Sequence, residues 1–259
     1  RPRPLPHPLP ELAPAEGTGE GRMVLLDVYR GLDGIARGSV KSLRIIGTPA
    51  KVQPHMNQPS IGLTAEDPGK FVLGTAPVEA DGSAHFRLPA GVSVFFQALD
   101  AEGRAVQTMR TLTYVQPHQT LACVGCHEQR SEAAPNLLAA AMLREPSRLR
   151  PAPDGSWPLR YDRLVQPVLD AQCVRCHKPG GEPKAVAKLD LTGGKSYGAL
   201  LAYGGLTDYI KNNYLLGRSV VGAPAARHSA LLAHLAKGHQ QVKLAAEDTE
   251  RLVTWMDTY

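Results

Sequence analysis

Two copies of the pattern Cys-x-x-Cys-His contain all four cysteines of the 259-residue chain. Two thiols at this spacing reach the two vinyl groups on one edge of a porphyrin, and the adjacent histidine can then ligate the iron. The pattern therefore predicts two covalently attached haem c groups. Their thioether and iron ligands would be Cys123, Cys126, His127, Cys173, Cys176 and His177.

Other uses of the cysteines explain the pattern less well. A zinc site could combine both Cys-x-x-Cys pairs in a four-thiolate cage, but it would need neither histidine. A redox-active dithiol needs no histidine either, and disulfides would leave both histidines unexplained. As in c-type cytochromes, we expect haem attachment outside the cytoplasm and hence a periplasmic or extracellular protein. The first residues, RPRP, contain no apolar signal core, so we expect a signal peptide to have been removed or the chain to be part of a longer precursor.

Composition narrows the class of protein. Hydrophobic residues make up 43% and charged residues 20% of the chain, which is typical of a globular protein and excludes wholesale disorder. The net charge of +5, from 29 basic and 24 acidic side chains, is mild and unclustered, which argues against a nucleic-acid partner. No run of about 18 apolar residues exists, so no membrane span is predicted.

The chain divides into four predicted segments and an α+β fold. Residues 1–20 alternate proline with other residues and predict an extended tether. Residues 21–118 predict a small β-sandwich or barrel, and residues 119–158 carry the first motif, a short helix at 133–143 and a proline-rich joint. Residues 159–259 predict an all-α, cytochrome c-like domain with the second motif.

Short β-branched and aromatic runs predict the strands of the β domain. The Asp81-Gly82 pair and residues 100–103 each lie between two runs and are hairpin signals. In residues 83–88, apolar and polar side chains alternate, which predicts one buried and one wet face. The predicted strands are 23–29, 42–47, 71–75, 84–88, 92–99 and 105–115.

Three helices are predicted in the last hundred residues. The first begins near Tyr161 and leads into the second motif, and Pro167 within it predicts a kink or the true helix start. The second is capped by Ser229 and ended by Gly238. The last begins near Glu247 and carries an apolar stripe of Leu252, Trp255, Met256 and Tyr259.

The sixth ligand of the second haem is expected downstream, from His228, His234, His239 or Met256. Met256 lies on the apolar stripe and is expected to pack. His234 falls beside the apolar face of its helix, where solvent is expected, and His228 precedes the helix cap. We favour His239, because it follows Gly238 at a helix end where the backbone can turn the imidazole inwards. Two histidines would give a lower reduction potential than histidine with methionine.

The first haem has no decisive sixth ligand in the sequence. An open iron that binds a small molecule is the remaining alternative. The candidate ligands are His55, His85, His118, Met56 and Met109.

Several segments resemble the hydrazine synthase alpha-subunit family. They are residues 71–79 (FVLGTAPVE), 81–86 (DGSAHF), 96–100 (FQALD) and 107–110 (QTMR), which lead into the first motif and Glu128, and residues 238–244 (GHQQVKL) with Trp255 and Asp257 near the end. The resemblance covers roughly residues 21–259. It implies a middle β domain followed by a cytochrome c domain, without the β-propeller that usually precedes them in the family.

The resemblance also implies roles for the two haems. In the family the second haem is bis-histidine and transfers electrons, and its distal histidine corresponds to His239. In hydrazine synthase the first haem is the proposed catalytic one, with a tyrosine after the motif on its iron and the motif histidine turned to zinc. Here Glu128, Gln129, Arg130 and Ser131 follow the motif, so neither the tyrosine nor hydrazine chemistry carries over.

The sequence thus predicts an electron-transferring di-haem cytochrome rather than a catalyst, working with a redox protein partner or in a larger complex. The alternative is a haem oxidoreductase that acts on a small nitrogen compound or a peroxide at an open first haem. A third reading is an interaction module, in which the β domain binds a partner subunit and the basic surface steers an acidic partner.

Overall fold

The structure is a computed structural model that describes residues 19–50, 55, 58, 60–62, 65, 67–126, 135–181, 184 and 189–258. Most of the predicted tether, His127, Met56 and Tyr259 lie outside the described residues. Within them the chain is α+β, with two small β-sheets in the first half and a helical region after them, as predicted.

Seven strands among the described residues form the two sheets. Sheet A has the order β4-β1-β7, and sheet B has the order β3-β2-β5-β6. All neighbouring strands are antiparallel except β1 and β7, which are parallel. The strands are β1 (Glu20–Leu25), β2 (Ser42–Thr48), β3 (Phe71–Pro77), β4 (Ala84–Pro89), β5 (Ser93–Leu99), β6 (Ala105–Thr108) and β7 (Thr120–Cys123).

The two sheets face each other across one apolar core, so the β domain is a sandwich. Met23 and Leu88 of sheet A share this core with Ile45 of sheet B. The rings of Phe86 and Phe96 meet edge to face across it, with centroids 5.9 Å apart. In β4, Ala84, Phe86 and Leu88 are buried whereas His85 and Arg87 are half-buried, which matches the predicted alternation.

Three local predictions in this half were wrong. The Asp81-Gly82 turn does not close a hairpin, because it connects β3 of sheet B to β4 of sheet A. The run at 105–115 is a strand only as far as Thr108. In place of the helix at 133–143, the described part has a single 3-10 turn at Ala140–Leu143, because the side chains of Asp81 and Ser83 accept hydrogen bonds from the Ala140 and Ala141 N–H groups. The hairpin at residues 100–103, between β5 and β6, was confirmed.

The helical region has six described α-helices and two further 3-10 turns. Pro167 stands in the first turn of the second helix, so it marks a helix start next to a break after Leu164. The Ser229 hydroxyl accepts the Leu232 N–H bond and caps the fifth helix, as predicted. The helices are α1 (Tyr161–Leu164), α2 (Gln166–Gln172), α3 (Ser196–Ala202), α4 (Leu206–Leu215), α5 (Ala230–Ala236) and α6 (Ala246–Thr258), with 3-10 turns at Tyr203–Gly205 and Ala225–His228.

The helical region has its own core and also covers the outer face of sheet B. Leu164, Leu169, Leu252 and Met256 are buried in the helical core. The sandwich core lies on one face of sheet B and the helical region on the other. For this reason β2 is buried along almost its whole length. None of the helices in the described part of the chain combines the length and the apolar character that a membrane crossing requires.

Residues 147–159 connect the β domain to the helical region and form bonds with both. Ser147 pairs with Phe86, and Arg150 exchanges two backbone hydrogen bonds with Thr75 of β3. The Arg150 guanidinium also binds the Glu250 carboxylate of α6, at 2.6 and 3.2 Å. Main-chain pairing and an ion pair thus fix this proline-rich segment across sheet and helix.

Candidate cofactor sites

The first motif begins at the end of β7, against the sandwich. Leu26 and Asp27 donate backbone hydrogen bonds to the carbonyls of Cys123 and Val124, at 2.9 and 3.1 Å. Gly125 passes so close to the chain that a Cβ there would lie 2.5 Å from the Arg30 carbonyl oxygen. The motif is therefore fixed beside the end of β1 as far as Cys126, and His127 lies outside the described residues.

Burial raises the pKa of two of the motif thiols, Cys126 and Cys173. Burial, followed by the charges of Cys123 and Asp27, raises the pKa of Cys126 to about 12. Burial also raises the pKa of Cys173, against the lowering effect of Arg175. A redox-active dithiol needs a thiol that ionises easily, so these environments disfavour that use.

The two cysteine pairs belong to different cores. Cys123 and Cys126 pack against the sandwich core, whereas Cys173 packs against the helical core. All four cysteines are free, and no cluster of three or more metal-ligating side chains occurs among the described residues. The arrangement does not form the four-thiolate cage that the zinc alternative requires.

Two candidate sixth ligands of the predicted first haem, His85 and His118, lie away from the side chain of Cys123. His85 pairs with Val24 across sheet A, and Cys123 pairs with Leu25, so His85 and Cys123 lie on opposite faces. His118 is bonded to Glu20 at the far end of β1, about 16 Å along the strand from Leu25.

Met109 lines a different cavity, of about 450 Å³, between the end of β6 and α4. Of the remaining two, His55 is exposed, and Met56 lies outside the described residues. The described residues therefore offer no clear sixth ligand on the Cys123 face of sheet A.

The second motif forms a tight turn directly after α2. The N–H of Cys173 still bonds to the Leu169 carbonyl at 2.8 Å, as the last bond of the helix. The N–H groups of Cys176 and His177 then both bond to the Cys173 carbonyl, at 3.1 and 3.0 Å. The helix end thus places both thiols and the imidazole around one point.

The imidazole of His177 is oriented by a backbone carbonyl. Its Nδ1 lies 3.0 Å from the Leu189 oxygen, and because a carbonyl can only accept, Nδ1 must carry the proton. The Nε2 lone pair is then free for a metal. Hydrogen bonding of this kind is the usual way in which a protein fixes the tautomer of a metal-ligating histidine.

His239 is brought towards His177 by the break after α5. Gly238 has a φ of +88°, and Gln240 and Gln241 also adopt left-handed φ values of +47° and +61°. The Arg175 side chain donates to the Gln240 carbonyl at 3.1 Å and ties this turn to the second motif. The ring centroids of His177 and His239 are 5.9 Å apart.

These side chains surround one cavity of about 360 Å³. Its size lies in the range of about 300–1,000 Å³ that is typical of small-molecule and cofactor sites. The surface of the cavity is mainly apolar, and four leucines and Val242 are among its lining residues. Two exposed cations, Arg175 and Lys184, also line it. The main lining residues are Cys173, Cys176, His177, Leu189, Leu191, Leu231, His234, Leu235, His239 and Val242.

The other predicted candidates for the second site have different environments. Met256 is 2% exposed and belongs to the helical core, as expected for packing. His228 bonds to the Gly222 carbonyl at 2.9 Å and stacks on Tyr209, outside the cavity. His234 has an exposed side chain, as expected, but it also lines the cavity and its Nε2 lies 2.9 Å from Nδ1 of His239.

The residues of the second site fit a c-type haem. Two imidazoles that ligate one ion at about 2 Å per metal–nitrogen bond have ring centres about 6 Å apart, close to the 5.9 Å between His177 and His239. Burial, and then the charges of His234 and His177, lower the pKa of His239 and keep it neutral as a ligand. The thiols are paired at haem-attachment spacing, and the wall is apolar.

Together these features define an α+β chain in which a β-sandwich with one Cys-x-x-Cys-His motif precedes a helical unit with a second. Residues 38–128 match the family model described as the hydrazine synthase alpha subunit middle domain. The chain is 24% identical, over 223 residues, to hydrazine synthase subunit alpha of Kuenenia stuttgartiensis, and the match covers 61% of this chain and 28% of that protein.

A solved structure of Kuenenia stuttgartiensis hydrazine synthase has the same fold. The superposition has a TM-score of 0.63 at 20% identity and covers 93% of this chain and 42% of the other. Residues 38–128 thus resemble the hydrazine synthase alpha subunit middle domain, and the chain is distantly similar to that subunit over 61% of its length. It spans less than a third of the length of that relative.

Proposed function

We propose that this chain is a di-haem c-type cytochrome that transfers electrons as a module or subunit of a larger redox system outside the cytoplasm. The observation that carries the proposal is the second site, where Cys173, Cys176, His177 and His239 line one apolar cavity. In this proposal residues 21–118 form the β domain, residues 119–158 hold the first haem, and residues 159–259 hold the second. The named relative is a subunit by its description, which supports assembly with other chains.

The residues of the second site have separable roles. Cys173 and Cys176 would hold the porphyrin covalently, and His177 and His239 would be the ligands of its iron. A bound haem supplies the one-electron step between ferric and ferrous iron. The Leu189 carbonyl keeps the proton of His177 on Nδ1. The leucines of the cavity would limit the water that has to reorganise when the charge of the iron changes.

The first test is a count of haem groups. We expect the exported protein to show a c-type ferrous spectrum, two haems per chain by pyridine haemochrome, and an intact mass with two tetrapyrroles. The double variants Cys123→Ser/Cys126→Ser and Cys173→Ser/Cys176→Ser should each retain one haem. A colourless wild-type protein with the mass of the bare polypeptide contradicts the proposal.

The second test addresses the ligand. His239→Ala should convert the second haem iron from low-spin to high-spin, because the sixth ligand is lost. His228→Ala is the matched control, since His228 lies outside the cavity and is bonded to Gly222. An unchanged low-spin spectrum in His239→Ala excludes His239 as the ligand.

A second function is supported by the first site. His85, His118 and Met109 all lie away from the Cys123 face of sheet A, which favours an open first iron and an oxidoreductase that acts on a small nitrogen compound or a peroxide. Ferric high-spin signals from one haem, with cyanide or nitric oxide binding at that haem alone, would support it. Two six-coordinate low-spin haems would exclude it.

The redox partner is expected to be acidic. Arg175 and Lys184 are exposed beside the second cavity, and the polypeptide carries a net charge of +5. Opposite charge speeds the encounter of two proteins, and salt screens that attraction. Reduction by an acidic donor protein should therefore slow steeply as salt is added, and more weakly in Arg175→Gln/Lys184→Gln.

A further inference from the structure

We propose that His234 is a positioning residue for the second haem, which fixes the tautomer of His239 and lowers the reduction potential of the iron. The inference rests on the proposed function. Its starting point is the hydrogen bond between Nε2 of His234 and Nδ1 of His239, at 2.9 Å, with ring centroids 4.7 Å apart.

The direction of this hydrogen bond decides whether His239 can bind iron through Nε2. If His234 donates, Nδ1 of His239 accepts, and the single proton of that neutral ring lies on Nε2, where it blocks ligation. If His239 donates from Nδ1, its Nε2 lone pair is free. Iron bound at Nε2 therefore requires His234 to be the acceptor.

His177 also donates a hydrogen bond from Nδ1, but to a different acceptor. Its Nδ1 donates to the Leu189 carbonyl at 3.0 Å, so the two imidazoles that face each other at 5.9 Å are held in the same tautomer by separate partners. An acceptor on the Nδ1–H group makes the imidazole a stronger electron donor. Stronger donation favours ferric iron, so both acceptors lower the reduction potential.

The fold explains how an exposed histidine reaches the site. His234 lies in the last turn of α5, whose start is fixed by the Ser229 cap. The chain then breaks at Gly238 and returns with His239, so that the two rings meet across the helix end. Nothing in the packing of the helical core requires a histidine at 234, since Leu232 supplies the buried contact of α5.

The test compares variants that keep or remove the acceptor. His234→Gln retains an oxygen that can accept at similar reach, whereas His234→Asn is too short and His234→Leu has no acceptor. We expect all three to contain two haems and a low-spin second haem. His234→Leu and His234→Asn should raise its midpoint potential and shift its ferric electron paramagnetic resonance signal, and His234→Gln should restore most of the wild-type values. His228→Leu should change neither.

The outcomes separate this inference from the proposed function. Potentials and resonance signals equal to wild type in His234→Leu and His234→Asn would overturn the inference. It is also overturned if His234→Leu becomes high-spin while His239→Ala stays low-spin, because His234 would then be the ligand. Fewer than two haems in the wild-type protein would overturn the proposed function itself.

Discussion

The guanidinium of Arg44 lies 3.9 Å from the carboxylate of Asp257, and both side chains are almost completely buried. Arg44 belongs to β2 and Asp257 to the last turn of α6, so this ion pair crosses the boundary between sheet B and the helical region. The two carboxylate oxygens of Asp257 also accept the N–H groups of Ala226 and Ala105, at 2.9 and 2.8 Å. One carboxylate thus joins β2, β6, a 3-10 turn and α6.

Replacing this carboxyl group by an amide should weaken the whole fold. Asp257→Asn replaces one accepting oxygen by an NH₂ group, which leaves a buried backbone N–H group without an acceptor. We expect a loss of about 2 kcal/mol in the free energy of unfolding, the scale of a buried donor left unsatisfied, in urea titrations. Glu102→Gln, which removes an exposed carboxylate, is the control and should change stability by less than about 0.5 kcal/mol.

The same carboxyl group should make stability depend on pH. Burial raises the pKa of Asp257 from its usual 3.8 to about 6, although Arg44 and the two backbone N–H groups act in the opposite direction. A raised pKa in the folded state means that protonation stabilises the fold. This contribution is complete below about pH 4 and is lost as the pH rises through about 6.

Wild-type protein should therefore lose more stability between about pH 4 and pH 7 than Asp257→Asn does, by up to about 3 kcal/mol for a two-unit shift. Unfolding by urea at several pH values measures both slopes. Glu102→Gln should follow the wild-type slope, and identical slopes in wild type and Asp257→Asn would refute the assignment to Asp257.

Under the proposed function, Gly125 should be essential for attachment of the first haem. A Cβ at this position would lie 2.5 Å from the Arg30 carbonyl oxygen, so Gly125→Ala must push the motif away from the end of β1. We expect Gly125→Ala to yield protein with one haem per chain by mass, while the second haem keeps its wild-type spectrum. Gly193→Ala, where a Cβ meets no atom within 4 Å, should retain both; full attachment in Gly125→Ala would refute the close approach.

The cap of α5 should affect both stability and the second site. Ser229→Ala removes the hydroxyl that accepts the Leu232 N–H bond and should lower the free energy of unfolding by about 1 kcal/mol. Because α5 carries His234, the ferric resonance of the second haem should broaden as well. Ser229→Asn keeps a capping oxygen and should restore most of both values, which a general packing defect would not allow.

Sequence patterns correctly predicted the features that depend on residues close together in the chain. The Ser229 cap, the stop at Gly238 and the helix start at Pro167 each depend on a few neighbouring residues, and all three are present. The β5–β6 hairpin likewise follows from a turn whose strands pair with each other.

The failures all involve distant partners. The Asp81-Gly82 turn looks the same whether its strands pair with each other or with different sheets. β7 is a four-residue strand that depends on parallel pairing with β1, almost a hundred residues earlier. The alanine- and leucine-rich run at 133–143 favours a helix by composition, but in its described part Asp81 and Ser83 of the sandwich bind its backbone.

In the second site, too, features that depend on neighbouring residues could be predicted, and contacts between distant residues could not. The cysteine spacing and the histidine after a helix-ending glycine are visible in the sequence. They predicted Cys173, Cys176, His177 and His239 as site residues, and all four line one cavity. The Leu189 carbonyl leaves no trace in residue type, since every residue has one. The five-residue spacing between His234 and His239, with Gly238 between them, is a signal for their contact. It becomes specific only when the geometry of the turn is known.

The segment at 147–159 pairs with β3 through Arg150 and binds α6 through Glu250. Such a connection restricts hinge motion, so we expect Cys123 and Cys173 to keep a single separation in solution. Electron passage between cofactors attached at these two positions would then be governed by a constant tunnelling length. The rate of this electron transfer should not depend on solvent viscosity. In carriers whose domains must move together before each transfer, it does.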